Sequence, residues 1–426
     1  MRSVAQTAPK SLVASVIRVT GGNVLEMYDF FVFGYYATAI GKAFFPAKND
    51  IASLLLALMT FGFGFLVRPL GAIILGSYTD AAGRRKGLIL TLMLMSIGTV
   101  LLAFVPGYDV IGLAAPILVV AGRLIQGFSA GAELGSVSVY LAEIAGGKSK
   151  GFWVSWQSAS QQLAVVMAAS LGLFLDHVLG PDKLAAWGWR IPFIAGLSIV
   201  PLIFFLRRSL VETDSFAARE PMRMGQVLAT MVRNAGTILI GMMMVLMTTV
   251  TFYLCTAYTP TFGKTVLHLT QWDSLLVTLC VGVTNIIWLP VFGALSDVVG
   301  RKPIMIAVTL LAAVSAYPVL LWLTSAPSFQ RLLIAELWLS FLFGAYNGAN
   351  VVYLTEVVPS HVRAAGFSLA YSLATCVGGF TPFLVTWLIQ RTHNPAIPGA
   401  WETVAALIGL IGVLLSKPYV KKEKTA

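Results

Sequence analysis

Between short polar breaks, this chain runs through apolar stretches of about 18 residues or more, each long enough to cross a hydrocarbon core of about 30 Å as a helix. Twelve such spans are predicted, near residues 17–40, 52–75, 88–105, 111–143, 153–176, 190–207, 235–260, 273–293, 303–324, 330–356, 364–389 and 400–416. The runs are continuous rather than alternating, which argues against a membrane β-barrel. One long polar break, from Arg207 to about Arg233, mixes both charge signs and follows the sixth span. It divides the chain into a bundle at 1–208, a cytoplasmic linker at 209–233, a second bundle at 234–416 and a short basic tail at 417–426. Within the linker, Gln226–Arg233 has the pattern of an amphipathic helix lying on a membrane surface. The expected fold is all-α and integral to the membrane, with twelve transmembrane helices in two pseudo-symmetric six-helix bundles.

A repeat supports the two-bundle reading. Gly131-Ala-Glu-Leu-Gly135 with Val139-Tyr-Leu-Ala-Glu143 returns as Gly344-Ala-Tyr-Asn-Gly348 with Val352-Tyr-Leu-Thr-Glu356, 213 residues later. Gly76-Ser-Tyr-Thr-Asp80-Ala-Ala-Gly83-Arg84-Arg85 returns as Gly293-Ala-Leu-Ser-Asp297-Val-Val-Gly300-Arg301-Lys302, offset by 217. Two related halves in an apolar chain point to a transporter, whose site lies between the halves and is exposed alternately to each side.

Composition narrows the class. The chain is 58% hydrophobic and 11% charged, with mean hydropathy +0.83. A soluble domain carries about 25% charged residues, so this chain lacks the polar atoms to cover a water-facing surface. The net charge of +11 does not imply a nucleic-acid partner. With both termini placed inside, 20 of the 29 Lys and Arg fall in cytoplasmic segments, which is the positive-inside bias. Glu26 and Asp29 in the first apolar segment are not what the core of a cleavable signal would carry. Cys255, Cys280 and Cys376 lie in apolar spans without metal-ligand spacing and read as small core residues.

Ionisable groups inside spans cost about 2.5–3.5 kcal/mol each on insertion scales and so mark function. The first half holds Glu26 and Asp29, Arg68, Arg123 and Glu133, and the second shows Glu336. Arg123 falls near the bilayer midplane, with Gln126 one turn on. A guanidinium offers a planar fork suited to a carboxylate, so Arg123 is a candidate anion clamp, or else a permanent partner of Asp29 or Glu26. Glu26 and Asp29 share a helical face, where two carboxylates do not both ionise easily. Together with Glu133 they are the candidates for cation coupling: a proton site, a Na⁺ site near Asp29, or plain neutralisation of the arginines.

Polar side chains that need partners inside lipid complete the candidate substrate site. They are Asn23 and Tyr28 in the first span, Gln157 and Gln161 in the fifth, and Thr248, Thr249, Thr251 and Tyr253 in the seventh. Tyr346, Asn347, Asn350 and Tyr353 follow in the tenth. The repeated loops read as a gate, with Asp80, Arg84, Asp297 and Arg301 joined by Glu143, Glu356 and Arg363, forming contacts made in one state and broken in another. Enzyme chemistry finds little support: there is no Walker loop, and His177, His268, His361 and His393 lack metal spacing. No cofactor is expected.

The paired Gly-x-x-x-Asp-x-x-Gly-Arg-[Arg/Lys] loops and the six-plus-six plan resemble the major facilitator superfamily over nearly the whole chain. Gly22-Asn23-Val-Leu-Glu26-Met27-Tyr28-Asp29-Phe30-Phe31, Arg68-Pro69-Leu-Gly71 and Arg123-Leu-Ile-Gln126-Gly127 resemble its metabolite:proton symporter family. The stretches Leu124–Tyr140, Trp156–Gln162, Trp187–Pro192 and Thr355–Pro359 are similar to the bacterial citrate–proton and tricarballylate carriers of that family. Met27 stands where the family pattern more often has Trp. The resemblance implies a monomeric carrier in a bacterial inner membrane, importing a tricarboxylate with H⁺, or alternatively Na⁺. Other acids or zwitterions (2-oxoglutarate, shikimate, proline or betaine) are the alternative cargo, and a drug exporter or a channel is the competing class.

Overall fold

The computed structural model describes residues 12–131, 133–145, 149–208, 224–359 and 363–418. All but the first two residues of the expected basic tail, and most of the expected linker, lie outside them. Helix α1 is Leu12–Tyr35 and α4 is Ala114–Ala130. The others are α2 at Asp50–Thr79, α3 at Arg85–Phe104, α5 at Lys150–Ala186, α6 at Gly188–Phe205, α7 at Ala235–Thr265, α8 at Gln271–Val299, α9 at Arg301–Ser325, α10 at Phe329–Val357, α11 at Arg363–Thr392 and α12 at Ile397–Leu415. Ten of the twelve are long and apolar enough to cross a membrane. The exceptions have local causes. The apolar run of α1 is interrupted by Glu26 and Asp29, and α4 has 17 residues before it continues as Glu133–Ala145. A ten-residue helix, Met224–Arg233, precedes the second bundle and rests against α2 and α11.

Lipid-facing side chains stay exposed, among them Ile117, Val298 and Val314, as a bilayer permits and water does not. The two bundles meet along α5 with α8 and along α2 with α11. Close approach at the first seam depends on glycine, because a Cβ on Gly151 would strike the Gly293 backbone, and one on Gly293 would strike that of Gly151. The repeated loops fold alike. Gly83 (φ 101°, ψ 147°) and Gly300 (φ 99°, ψ 153°) adopt the same left-side conformation, open in practice to glycine alone. That geometry explains why each motif places Gly immediately before Arg: the glycine turns the chain so that a new helix starts at the basic residue.

Candidate functional site

Helices α1 to α4 converge on a buried polar network in the first bundle. Asp29 and Arg123 are both fully buried. Arg123 Nη1 donates to Gln126 Oε1 at 2.9 Å, and Gln126 Nε2 donates to Asp29 Oδ2 at 2.9 Å. The Thr99 hydroxyl of α3 also bonds the Asp29 carboxylate. Among the described residues no carboxylate pairs with Arg123; Gln126 bridges it to Asp29. Its guanidinium lies 4.3 Å from the Phe30 ring centre and 4.6 Å from that of Phe33, while Nε and Nη2 have no hydrogen-bond partner. Glu26 turns elsewhere, to Arg68 Nη2 at 3.3 Å. Arg68 itself lies 4.9 Å from the Phe30 ring centre, so this one ring meets two guanidinium groups.

A small cavity of about 10 Å³ lies where the bundles meet, with room for about one water molecule. Met27, Arg68 and Gln161 form its wall from the first bundle, and Thr249, Phe252, Tyr253, Phe343, Tyr371 and Thr375 from the second. Of the sequence-predicted substrate residues, Gln161, Thr249 and Tyr253 line it. Most of the others bond within or between helices. Tyr28 donates to the Pro192 carbonyl, Asn23 reaches the Gln157 carbonyl at 3.5 Å, and Gln157 accepts from Ser158. Tyr346 donates to the Met244 carbonyl, Asn350 to Thr248, and Tyr353 pairs with Ser416. Asn347 is buried with neither amide atom bonded. Arg68 is the guanidinium on the cavity wall, and its signal in the sequence was a charge inside a span. Tyr371 and Thr375 gave no such signal.

The second bundle also corrects the sequence reading. Glu336 is not its single buried carboxylate: Glu402 of α12 is fully buried and bonds Thr251 at 2.6 Å. Glu402 lies two residues inside the start of the predicted span 400–416, at the edge of its apolar run.

At the end bearing the repeated loops, the bundles are latched. Asp297 Oδ1 accepts from the Gly151 backbone N–H at 2.8 Å and Oδ2 from that of Phe152 at 3.1 Å, capping the start of α5 across the seam. Arg301 pairs with Asp297 at 2.7 Å and reaches Glu356 at 3.6 Å, while Lys150 lies 3.4 Å from Glu356. Glu143 is exposed on the continuation of α4, and Arg363 is half-buried at the start of α11. The side chains of Asp80, Arg84 and Glu133 lie outside the described residues. The opposite end opens into a vestibule of about 410 Å³, lined in part by Tyr35, Tyr36, Lys42, Asp176, Lys264 and His268. Its floor closes where Thr261 of α7 donates to the Gly34 carbonyl of α1 at 3.2 Å. The molecule is therefore shut at the motif end, open to a vestibule at the other, and nearly closed over its centre.

Asp297→Asn is expected to loosen that latch, since Asn has one acceptor oxygen and no charge for Arg301. The closed end should lose about 1–3 kcal/mol. In a variant otherwise free of cysteine, Ser155→Cys at the seam should then react several-fold faster with a membrane-impermeant thiol reagent applied at the motif end. An unchanged rate would mean that apolar packing alone holds this end closed.

Two six-helix bundles around a charged interface, latched at one end and open at the other, are the build of an alternating-access carrier. The chain belongs to the major facilitator superfamily. Residues 14–218 match the family described as "Sugar (and other) transporter" and residues 274–424 match the Major Facilitator Superfamily. A citrate-proton symporter of Salmonella typhi is 53% identical over 99% of this chain and 98% of its own length. A citrate-proton symporter of Klebsiella pneumoniae is 56% identical over 95% of this chain and 92% of its own. Among solved structures, a D-xylose-proton symporter covers 93% of this chain and 97% of its own with a TM-score of 0.74 at 22% identity, a likeness of fold.

Proposed function

We propose that this protein is a secondary symporter that brings citrate, or the related tricarballylate, into a bacterial cell together with H⁺. The observation that carries this reading is identity above 50% to two citrate-proton symporters over nearly the whole chain. The interface chemistry agrees with it. A tricarboxylate needs more than one cation, and Arg68 and Arg123 meet the same Phe30 ring. Once the bundles part and the interface cavity widens, citrate sits against Arg68, Gln161 and Tyr253, and displacement of Phe30 brings the free nitrogens of Arg123 to it. Asp29, tied to Arg123 through Gln126, carries the coupling proton. The motif end, rich in Lys and Arg, faces the cytoplasm in a multi-pass inner-membrane protein with both termini inside, working as a monomer. Exchange of the Asp297–Arg301–Glu356 latch for closure at the vestibule then delivers the cargo inward.

The test is uptake of labelled citrate by vesicles of purified protein. An inwardly directed H⁺ gradient should drive accumulation, and an imposed Na⁺ gradient at constant pH should not. Accumulation driven by Na⁺ alone would overturn the proton assignment. Loss of saturation and of counterflow would overturn the carrier itself.

A further inference from the structure

Two buried carboxylates of the second bundle take no part in the site described so far. Glu402 on α12 is fully buried and Glu336 on α10 is 4% exposed. Neither forms an ion pair among the described residues, in contrast to Glu26, which faces Arg68. Each has one carboxyl oxygen, Oε2, without any hydrogen-bond partner. An ionised carboxylate in that position costs several kcal/mol with nothing to offset it, whereas the neutral acid is tolerated.

The hydroxyl geometry points the same way. Thr251 Oγ1 lies 2.7 Å from the Met247 carbonyl and 2.6 Å from Glu402 Oε1, and a hydroxyl has a single hydrogen to give. If Thr251 donates to Met247, the short contact with Glu402 needs a hydrogen from the carboxyl group. Thr259 repeats the pattern, standing beside the Glu336 carboxyl while its hydroxyl lies 3.1 Å from the Leu254 carbonyl. Between these two threonines α7 passes through a π-helical turn, Tyr253–Tyr258, a form that recurs at functional sites. Cys255, in that turn, lies within electrostatic range of both glutamates. Thr251, Cys255 and Thr259 thus mark a line along α7 from Glu402 to Glu336. Pro260 and Thr261, the next residues, line the vestibule, so protons from the open side reach Glu336 first.

The remaining titratable groups around the pair do not supply a counter-charge. Tyr258 bonds Thr386, Tyr317 of α9 accepts from Asn394, Tyr346 donates to the Met244 carbonyl, and Tyr35 of α1 stands near Cys255. The basic residues of the packed second-bundle helices, Lys264, Arg301, Lys302, Arg331, Arg363 and Arg391, all lie in first or last helical turns.

We infer that Glu336 and Glu402 form a second proton-binding site, in the C-terminal bundle, which adds a proton to each transport cycle beyond the one carried at Asp29. This rests on the H⁺-symport reading above. Nothing covalent is involved: the carboxyl pair takes a proton from the vestibule side and releases it when the bundles rock. The test is the H⁺-to-citrate ratio in proteoliposomes, found from the citrate gradient at which an imposed pH gradient gives no net flux. That ratio does not depend on turnover rate. In Glu336→Gln/Glu402→Gln it should fall by one proton per citrate, and Glu336→Asp/Glu402→Asp, which keeps ionisable carboxyls, should restore it. A wild-type ratio in the glutamine variant overturns the inference. Absence of any proton flux in the wild-type protein instead overturns the symport reading. Should the glutamine variant not turn over, infrared titration of the two purified proteins follows the protonated-carboxyl band as pH is raised; an identical loss of that band in both overturns the inference, and a smaller loss in the variant upholds it.

Discussion

In proteoliposomes carrying Asp29→Asn, citrate uptake driven by a pH gradient is expected to fall about 100-fold, the low end of what losing a positioned proton carrier costs. Exchange of labelled for unlabelled citrate should continue. Asn fills the same volume in the fully buried site, and its carbonyl oxygen still accepts the Gln126 amide that now holds Asp29 Oδ2 at 2.9 Å. What it cannot do is gain and lose a proton. Because Gln126 also accepts from Arg123, the protonation of Asp29 is felt at the guanidinium through one amide. A variant that accumulates citrate as well as wild type would reduce Asp29 to a packing group and leave the coupling to other carboxyls.

The second large effect is on binding. Arg123→Ala should weaken citrate affinity in detergent about 100-fold, or about 2.8 kcal/mol. Two donor nitrogens of this guanidinium are unbonded in a cage of phenylalanine rings, an arrangement that costs free energy until an acceptor arrives. A carboxylate completes it, and does so with two parallel bonds. Arg123→Lys keeps the charge but not the fork, so it should recover part of the loss and remain about tenfold weaker than wild type. Titration calorimetry on protein with a native melting profile measures both. Undiminished affinity in Arg123→Ala would assign the citrate to Arg68 alone.

Much of the architecture was legible without coordinates, because the bilayer leaves few options. A chain with this apolar pattern has to satisfy its backbone inside each span, which makes the spans helical and sets their number. The repeated loops mark the two halves, and the shared backbone angles at Gly83 and Gly300 show that motif and fold repeat together. Intramembrane charge likewise singled out Arg123 and Asp29 before their surroundings were known.

Direction was not legible. Tyr346, Asn350 and Tyr353 share a helical face in the sequence, yet they bond Met244, Thr248 and Ser416 and none lines the cavity. Helical spacing groups side chains on a face but says nothing of which neighbour that face meets. Arg68 and Glu402 show the other gap. A charge in a span is visible in one dimension, whereas its partner (Glu26 in one case, no cation among the described residues in the other) depends on helices distant in sequence. By itself, then, the sequence determined a twelve-helix carrier in two related bundles and the charges it keeps inside, since hydrocarbon penalises every other arrangement of such a chain. Only the tertiary structure decided which charges are paired, which wall the cavity, and which end is latched, because those are outcomes of how one bundle packs on the other.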